Sequence, residues 1–180
     1  MIYVFLGNGF EEIEAVTQVD MLRRCKLDVK TVGIGSQIIR GSHGIPIVAD
    51  IEQNEIVLDD KLQMIILPGG MPGTLNLENS KKVQEAIDYC TKNDIYIAAI
   101  CAAPSILGHK GLLKGKVATC FPGFENELIE AKLSDNLVCI DGKIITGKSA
   151  GASIKFSLKL VEILISKERA NLLEESIQCK

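Results

Sequence analysis

The chain has 180 residues, of which 47% are hydrophobic, and a formal net charge of −3 from 20 Lys and Arg against 23 Asp and Glu. This length suits one domain that buries about two-thirds of its unfolded surface, so we expect a single domain over residues 1–180. The charges are interspersed, without a basic block, an aromatic-rich strand or zinc-ligand spacing, which argues against a nucleic-acid partner.

The apolar segments are short. Residues 1–6 lack the charged region of a signal peptide, and the weakly polar stretch 95–107 is shorter than the roughly 18 residues that a membrane span needs. The six cysteines are scattered and form no CxxC pair, which favours free thiols over a disulfide framework. We therefore expect a cytoplasmic protein with no membrane partner.

Strand and helix patterns alternate along the chain. Strands are predicted over 2–6, 28–34, 62–67 and 95–100, a short edge strand over 45–49, and a brief strand within 112–119. Helices are predicted from about residue 13 to Arg24 and over 81–93, 124–133, 150–165 and 167–177, with another after the 95–100 strand. Asp141-Gly142 predicts a hairpin between 137–140 and 143–146.

This alternation predicts a doubly wound α/β sandwich around a mostly parallel sheet. Ligand sites in such folds lie beyond the carboxyl ends of the strands. The loops after residues 6, 67 and 100, together with the turn at Gly147, are expected to meet there.

Cys101 follows directly on the apolar strand pattern 95–100, and small residues lead from it into a helix. This is the pattern of a nucleophile elbow, a tight strand-to-helix turn that exposes a reactive side chain. A helix N-terminus and one charge-assisted hydrogen bond would lower the thiol pKa to between about 5 and 7, giving mostly thiolate. The alternative is a buried cysteine that only fills space in the core.

Three glutamates, Glu11, Glu12 and Glu14, open the first helix just beyond the first strand. One of them could face the cysteine as a protonated acid, and spacing alone does not choose among them. Gly69-Gly70 allow backbone N–H groups to approach a substrate, and with the N–H of Ala102 they could form an oxyanion hole.

A hydrolytic cysteine normally needs a histidine base, and this chain has two histidines. His109 lies eight residues after Cys101, about 12 Å further along the presumed helix. His43 lies in a polar loop and is expected to touch solvent, a partner subunit or the pocket rim. A hydrolase triad is therefore weakly supported.

Five stretches, in order, resemble the ThiJ/PfpI superfamily, in the branch of the human parkinsonism-associated protein and its bacterial relatives. They are GFEEIEA (9–15), VDMLRR (19–24), LPGGMPG (67–73), AAICAAP (98–104) and TCFPGFE (119–125). The resemblance implies a flavodoxin-like three-layer sandwich and a homodimer. It implies Cys101 as the reactive cysteine, Glu14 as its acid, and the N–H groups of Gly70 and Ala102 as the oxyanion donors.

Members of this family are described as cofactor-independent glyoxalases, deglycases, oxidative-stress sensors and chaperones. We therefore expect an enzyme that acts on methylglyoxal or glyoxal adducts through Cys101 and Glu14, without metal or cofactor. The alternative is a stress sensor or chaperone whose Cys101 is oxidised to a sulfinate. Gly69, His43, Cys120 and Phe121 are candidate pocket residues.

Two departures from the family pattern bear on this choice. The proteolytic branch has Cys-His-Gly where this chain has Cys101-Ala102-Ala103, which weakens a peptidase or amidase interpretation. The human-like branch has a histidine near the position of Cys120-Phe121. The absence of that histidine puts efficient proton shuttling at Cys101 in doubt, and it makes Cys120 a candidate resolving thiol.

Overall fold

The computed structural model describes residues 1–179. Its strands are β1 (Ile2–Leu6), β2 (Val29–Gly33), β3 (Ile38–Arg40), β4 (Pro46–Val48), β5 (Ile51–Glu52), β6 (Met64–Leu67), β7 (Tyr96–Ile100), β8 (Val117–Ala118), β9 (Lys132–Leu133), β10 (Val138–Asp141) and β11 (Ile144–Gly147). Its helices are α1 (Glu12–Arg24), α2 (Gly73–Glu78), α3 (Lys81–Lys92), α4 (Pro104–His109), α5 (Ser153–Leu164) and α6 (Lys167–Ser176).

One seven-stranded sheet runs through the molecule in the order β10-β11-β7-β6-β1-β2-β5. Its neighbouring strands are parallel except for the β10–β11 hairpin. Every residue of β1 and β6 is buried, because helices cover both faces of the sheet.

The helices form a layer on each face. On one face α1, α5 and α6 contribute buried apolar residues to a core cluster with alternate residues of β1, β6 and β7. On the other face α2, α3 and α4 pack against the remaining strand residues. This arrangement confirms the predicted three-layer α/β sandwich. Among residues 1–179, no helix is long and apolar enough to cross a membrane.

Two segments differ from the sequence-based expectation. The predicted edge strand 45–49 is β4, which pairs with β3 in a separate two-stranded sheet. The helix predicted over 124–133 is wrong, because the segment holds only a 3-10 turn, Glu125–Glu127, and the short strand β9. A side chain on Gly108 would lie 2.0 Å from the carbonyl oxygen of Glu127, so the segment packs its backbone directly on α4. Glu130, just before β9, has a φ of 58°, in the left-handed region.

The carboxyl ends of the central strands converge as predicted. The Glu11 N–H donates to the Gly69 carbonyl at 2.9 Å and the Gly73 N–H to the Gly9 carbonyl at 3.2 Å, which ties the loops after β1 and β6 together. The Cys101 N–H donates to the Gly147 carbonyl at 2.9 Å, and this hydrogen bond joins the carboxyl ends of β7 and β11.

Candidate active site

Cys101 occupies a sharp turn between β7 and α4. Its φ of 65° lies in the left-handed region, which costs a residue with a side chain about 1–2 kcal/mol. Hydrogen bonds hold the turn on both sides, from the Cys101 N–H to Gly147 and from the Phe121 N–H to the Cys101 carbonyl at 2.8 Å. The strained backbone presents a half-buried thiol at the carboxyl edge of the sheet.

Glu14 meets this thiol from the first turn of α1. Its side chain is fully buried and hydrogen-bonds with Cys101, while its Oε2 accepts the Gly69 N–H at 2.8 Å. A Cβ on Gly69 would lie 2.7 Å from both the Cys101 Cβ and the Glu14 Oε2. Position 69 therefore requires glycine for the carboxyl and the thiol to meet.

Two backbone N–H groups also reach the Cys101 sulfur, those of Gly70 and Ala102. Gly70 has a φ of 89°, and a Cβ there would lie 2.4 Å from the Glu11 nitrogen. The left-handed conformation of Gly70 turns its N–H into the site. The structure thus brings together Cys101, Glu14, Gly69, Gly70 and Ala102.

Burial dominates the electrostatics of the Cys101–Glu14 pair. It raises the pKa of Glu14 from 4.5 to about 7, against hydrogen bonds with Cys101 and the Gly69 N–H that lower it. Burial also raises the pKa of Cys101, and the charge and hydrogen bond of Glu14 raise it further, while the N–H groups of Ala102 and Gly70 lower it. The coupled pair therefore loses its first proton near pH 7 and carries one negative charge above it.

The predicted lowering of the Cys101 pKa is wrong, because burial and the adjacent Glu14 raise it. The helix expected to stabilise the thiolate is only Pro104–His109, and the Ala102-Ala103 turn separates it from the sulfur. Burial and the adjacent carboxylate outweigh that weak dipole. The thiol proton must pass to Glu14 for the sulfur to react as a thiolate.

His43 lies on the α1 N-terminus rather than on the thiol. Its backbone N–H donates to Glu12 Oε1 at 2.9 Å, and its Nδ1 lies 3.1 Å from Glu12 Oε2. The hydrogen bond to Glu12 raises the pKa of His43. Although burial opposes it, hydrogen bonds from the backbone and His43 hold the pKa of Glu12 at about 2. A charged clamp therefore fixes the 41–45 loop to α1.

Within residues 1–179, the same clamp brings together side chains of the types that bind a cation. Ligand atoms of Glu11, Glu12 and His43 lie within 4.8 Å of one another. The N–H groups of His43 and Ile45 already occupy Glu12 Oε1. The sequence pattern did not predict this clamp. Its one trace in the sequence is Gly41, where a Cβ would lie 2.3 Å from the Glu12 carboxyl carbon.

His109 lies at the end of α4 and joins two carboxylates. Its Nδ1 lies 2.5 Å from Glu78 Oε1 and its Nε2 lies 2.8 Å from Glu127 Oε2. These hydrogen bonds raise the pKa of His109. The ring links α4 to α2 and to the 3-10 turn, a structural role remote from proton transfer at Cys101.

Cys120 and Phe121 follow β8 beside the elbow. Cys120 is 4% exposed, and burial raises the pKa of its thiol to about 11. It packs in the core cluster on the α3–α4 face, whereas Cys101 packs against the cluster on the α1–α5 face. The Phe121 ring is exposed, and its backbone N–H supports the elbow.

The volumes of the cavities do not identify the candidate site. A cavity of about 520 Å³ lies at the opposite end of β7 and β11, lined by residues that include Ile95, Lys143 and Ile144. A polar cavity of about 230 Å³ lies nearer the elbow, beside Cys120 and Lys148. The buried acid against the thiol, rather than volume, marks the candidate site.

The family model for the DJ-1/PfpI family matches residues 1–163 of this chain. The chain belongs to this family. As expected for the DJ-1/PfpI fold, it superposes on a DJ-1 superfamily protein of Salmonella typhimurium with a TM-score of 0.92 at 32% identity, covering 98% of this chain and 97% of that one. It superposes on oxidized Toxoplasma gondii DJ-1 with a TM-score of 0.90 at 32% identity, covering 98% and 97%.

Curated members of the DJ-1/PfpI family are also similar to this chain in sequence. Protein DJ-1 homolog B of Arabidopsis thaliana is 39% identical over 92% of this chain, but the match spans 38% of that relative; for homolog A it spans 43%. The chain thus covers about two-fifths of these two proteins. The glutathione-independent glyoxalase DJR-1.2 of Caenorhabditis elegans is 33% identical over 91% of this chain and 87% of its own length.

Proposed function

We propose that this protein is a cysteine-dependent glyoxalase that converts methylglyoxal to lactate through Cys101 and Glu14. The observation that carries the proposal is the buried Glu14 carboxyl against the Cys101 thiol, with its pKa raised to about 7. A group that titrates near the working pH can both accept and return a proton. The glyoxalase relative DJR-1.2 supports this reaction class.

The first step is addition of the thiol to the aldehyde. Glu14 as carboxylate takes the Cys101 proton, and the sulfur forms a bond to the aldehyde carbon. The proton then passes to the aldehyde oxygen, which completes a hemithioacetal. The N–H groups of Gly70 and Ala102, which face the sulfur, are placed to donate to the oxygen as it gains charge.

The remaining steps move a proton and add water. Glu14 takes the proton from the former aldehyde carbon, and the resulting enediol is reprotonated at the neighbouring carbon, which leaves a lactate thioester on Cys101. One water molecule cleaves the thioester and releases lactate with the free thiol. The sum is methylglyoxal plus water to lactic acid, with no net oxidation and no metal or cofactor.

Lactate formation tests this proposal. Protein incubated with methylglyoxal is expected to release lactate, and Cys101→Ala is expected to release none above the buffer rate. Glu14→Gln should lower kcat/KM by about 10²–10⁴-fold, the usual contribution of a general acid–base. Equal lactate from the wild type and Cys101→Ala would overturn the proposal. The same assay with glyoxal-modified thiols or amines tests the deglycase variant.

A peptidase has less support. His43 is engaged by Glu12 and His109 by Glu78 and Glu127, and neither ring has a hydrogen bond to Cys101 in the described chain. A peptide bond needs proton delivery to a poor leaving group, and beside the Cys101 thiol the structure places Glu14 rather than a histidine.

A redox sensor is the second candidate, because sulfinate oxygens on Cys101 would meet the same donors. The Gly70 and Ala102 N–H groups and a protonated Glu14 could each donate to them. Two equivalents of peroxide oxidise the thiol to sulfinic acid and are reduced to water. Intact-mass analysis after graded peroxide tests this candidate, and oxidation of Cys101 no faster than of the other thiols would exclude it.

A homodimer through α1 and β4 is supported by an exposed apolar patch. Its members are large side chains on α1 and on the β3–β4 segment: Ile13, Val16, Ile38, Ile45 and Val48. Val48→Glu, at a side chain 67% exposed, is expected to convert a dimer to a monomer in sedimentation, whereas Leu172→Glu on α6 should not. A dimer that survives Val48→Glu would contradict this interface.

A further inference from the structure

Four buried polar side chains lie on α1 and α5, two helices that pack against each other. They are Glu14 and Gln18 on α1 and Ser153 and Ser157 on α5, none more than 2% exposed. Each pair is four residues apart, so its members share one helix face. We call these four residues the polar ladder.

The directions of α1 and α5 determine which residues of the polar ladder lie nearer to Cys101. Both helices begin at the carboxyl edge of the sheet, after the parallel strands β1 and β11, and therefore run in the same direction. A hydrogen bond between Ser157 and Gln18 aligns their second turns. Glu14 and Ser153 therefore lie one helical turn nearer to Cys101 than Gln18 and Ser157 do.

Hydrogen bonding within the ladder is incomplete. Glu14 Oε1, Gln18 Nε2 and Ser153 Oγ have no partner among the described residues. Ser157 has one hydroxyl proton but lies against both the Gln18 amide and the Ser153 carbonyl, the latter at 2.8 Å. Whichever acceptor takes that proton, and whichever way the amide is turned, one polar atom of Gln18 stays unpaired.

Buried polar atoms without a partner are rare, and a cluster of them indicates a bound water molecule. The three unpaired atoms belong to neighbouring residues of the polar ladder, and a buried water typically makes about three hydrogen bonds. The carboxyl oxygen is the one that matters for chemistry, since the other oxygen of Glu14 is engaged by Gly69.

We propose that Gln18 and Ser153 are positioning residues that hold a buried water against the Oε1 oxygen of Glu14. The water donates to the carboxylate and keeps Oε2 directed at Gly69 and the thiol. This role rests on the proposed function, since it serves the proton transfer between Glu14 and Cys101. Removing either residue weakens the support for the ionised carboxyl and makes Glu14 harder to ionise.

Few other titratable side chains affect the ionisation of Glu14. Cys101 and Glu11 are the two titratable side chains that alter its ionisation. β6 carries no titratable residue, and Tyr3 of β1 turns to the other face, where its hydroxyl contacts Val57. On α5, Lys155 and Lys159 line a groove with β10 residues and face away from the ladder.

The test is the pH dependence of Cys101 alkylation by iodoacetamide, read by mass spectrometry of the peptide that contains it. This reaction needs no turnover of methylglyoxal. Variants Gln18→Met and Ser153→Ala are compared with Thr91→Val, which deletes a hydroxyl bonded within α3. Loss of one hydrogen bond to a charged group shifts a pKa by about one unit or more.

We expect the alkylation inflection to rise by about one pH unit in Gln18→Met and in Ser153→Ala and to stay unchanged in Thr91→Val. Ser153→Ala removes one oxygen atom, so it remains informative if Gln18→Met does not fold. An unshifted inflection in Ser153→Ala overturns the proposal. A shifted inflection in a protein that makes no lactate upholds the ladder and refutes the glyoxalase.

Discussion

Ionising Glu14 should cost this protein stability, and Glu14→Gln should remove that cost. The folded pKa of about 7 lies about 2.5 units above the ordinary 4.5. At 1.36 kcal/mol per unit, this corresponds to about 3 kcal/mol. Because the folded pKa is raised, the stabilisation is complete below pH 4.5 and is lost as the pH rises through 7.

The amide that replaces the carboxyl in Glu14→Gln cannot ionise, and it can still accept the Gly69 N–H and face the thiol. We therefore expect the free energy of unfolding of this variant, relative to the wild type, to rise by about 3 kcal/mol between pH 5 and pH 9. Urea unfolding followed by far-UV circular dichroism at pH steps across this range measures it.

Glu168→Gln on α6 is the control. A backbone hydrogen bond lowers the pKa of Glu168 from its ordinary 4.5, so its contribution is present above pH 4.5 and is lost only toward acid. The difference between Glu168→Gln and the wild type should thus stay constant from pH 5 to pH 9. A constant difference for Glu14→Gln as well would refute the assignment of a raised pKa to Glu14.

Three further outcomes are expected. Gly69→Ala should destabilise the protein by about 1–3 kcal/mol and abolish lactate formation, because its Cβ would lie 2.7 Å from the Cys101 Cβ; wild-type kcat/KM in this variant would contradict the packing. The raised pKa of His109 gives the wild type a stabilisation that is present below pH 6.5 and is lost as the pH rises. His109→Gln lacks this stabilisation, so its free energy of unfolding should fall less than that of the wild type as the pH rises above 6.5. An equal fall in the two proteins, measured by urea unfolding, would contradict this. Mild oxidation should leave Cys101 and Cys120 unlinked, because they pack on opposite faces of the sheet; a bridged peptide in a non-reducing digest would contradict this.

Much of the fold could be predicted from periodicity. The buried strands β1, β6 and β7 and the helices α1, α3 and α5 follow strong apolar patterns, and Asp141-Gly142 correctly marks the β10–β11 hairpin. The short elements were not predictable in this way. The six-residue α2 and the three-residue β3 carry too few residues for a pattern to emerge, and tertiary contacts define them.

The incorrect helix over 124–133 has a similar origin. Its composition permits a helix, but the close approach of its backbone to Gly108 requires an irregular segment, and such long-range contact leaves no local pattern. The glycine itself is the only trace, and it lies about 20 residues earlier in the chain.

The grouping of the candidate-site residues in space was predictable, but the direction of the Cys101 pKa shift was not. Strand ends, the elbow pattern and the family resemblance led to Cys101, Glu14, Gly70 and Ala102. The resting protonation depends on burial of the pair and on the length of α4, neither of which the sequence around Cys101 reveals. The ladder partner Ser157 lies 139 residues from Gln18 and became apparent only in the folded chain.

The titration of the Glu14 carboxyl tests the central claim most directly. It can be followed by ¹³C NMR of protein labelled at the glutamate side-chain carboxyl carbon, with Glu14→Gln identifying the resonance. We expect a midpoint near pH 7 that moves higher in Cys101→Ala, because the hydrogen bond with Cys101 lowers the pKa of Glu14. A midpoint near 4.5, unaffected by Cys101→Ala, would contradict a shared proton between Glu14 and Cys101.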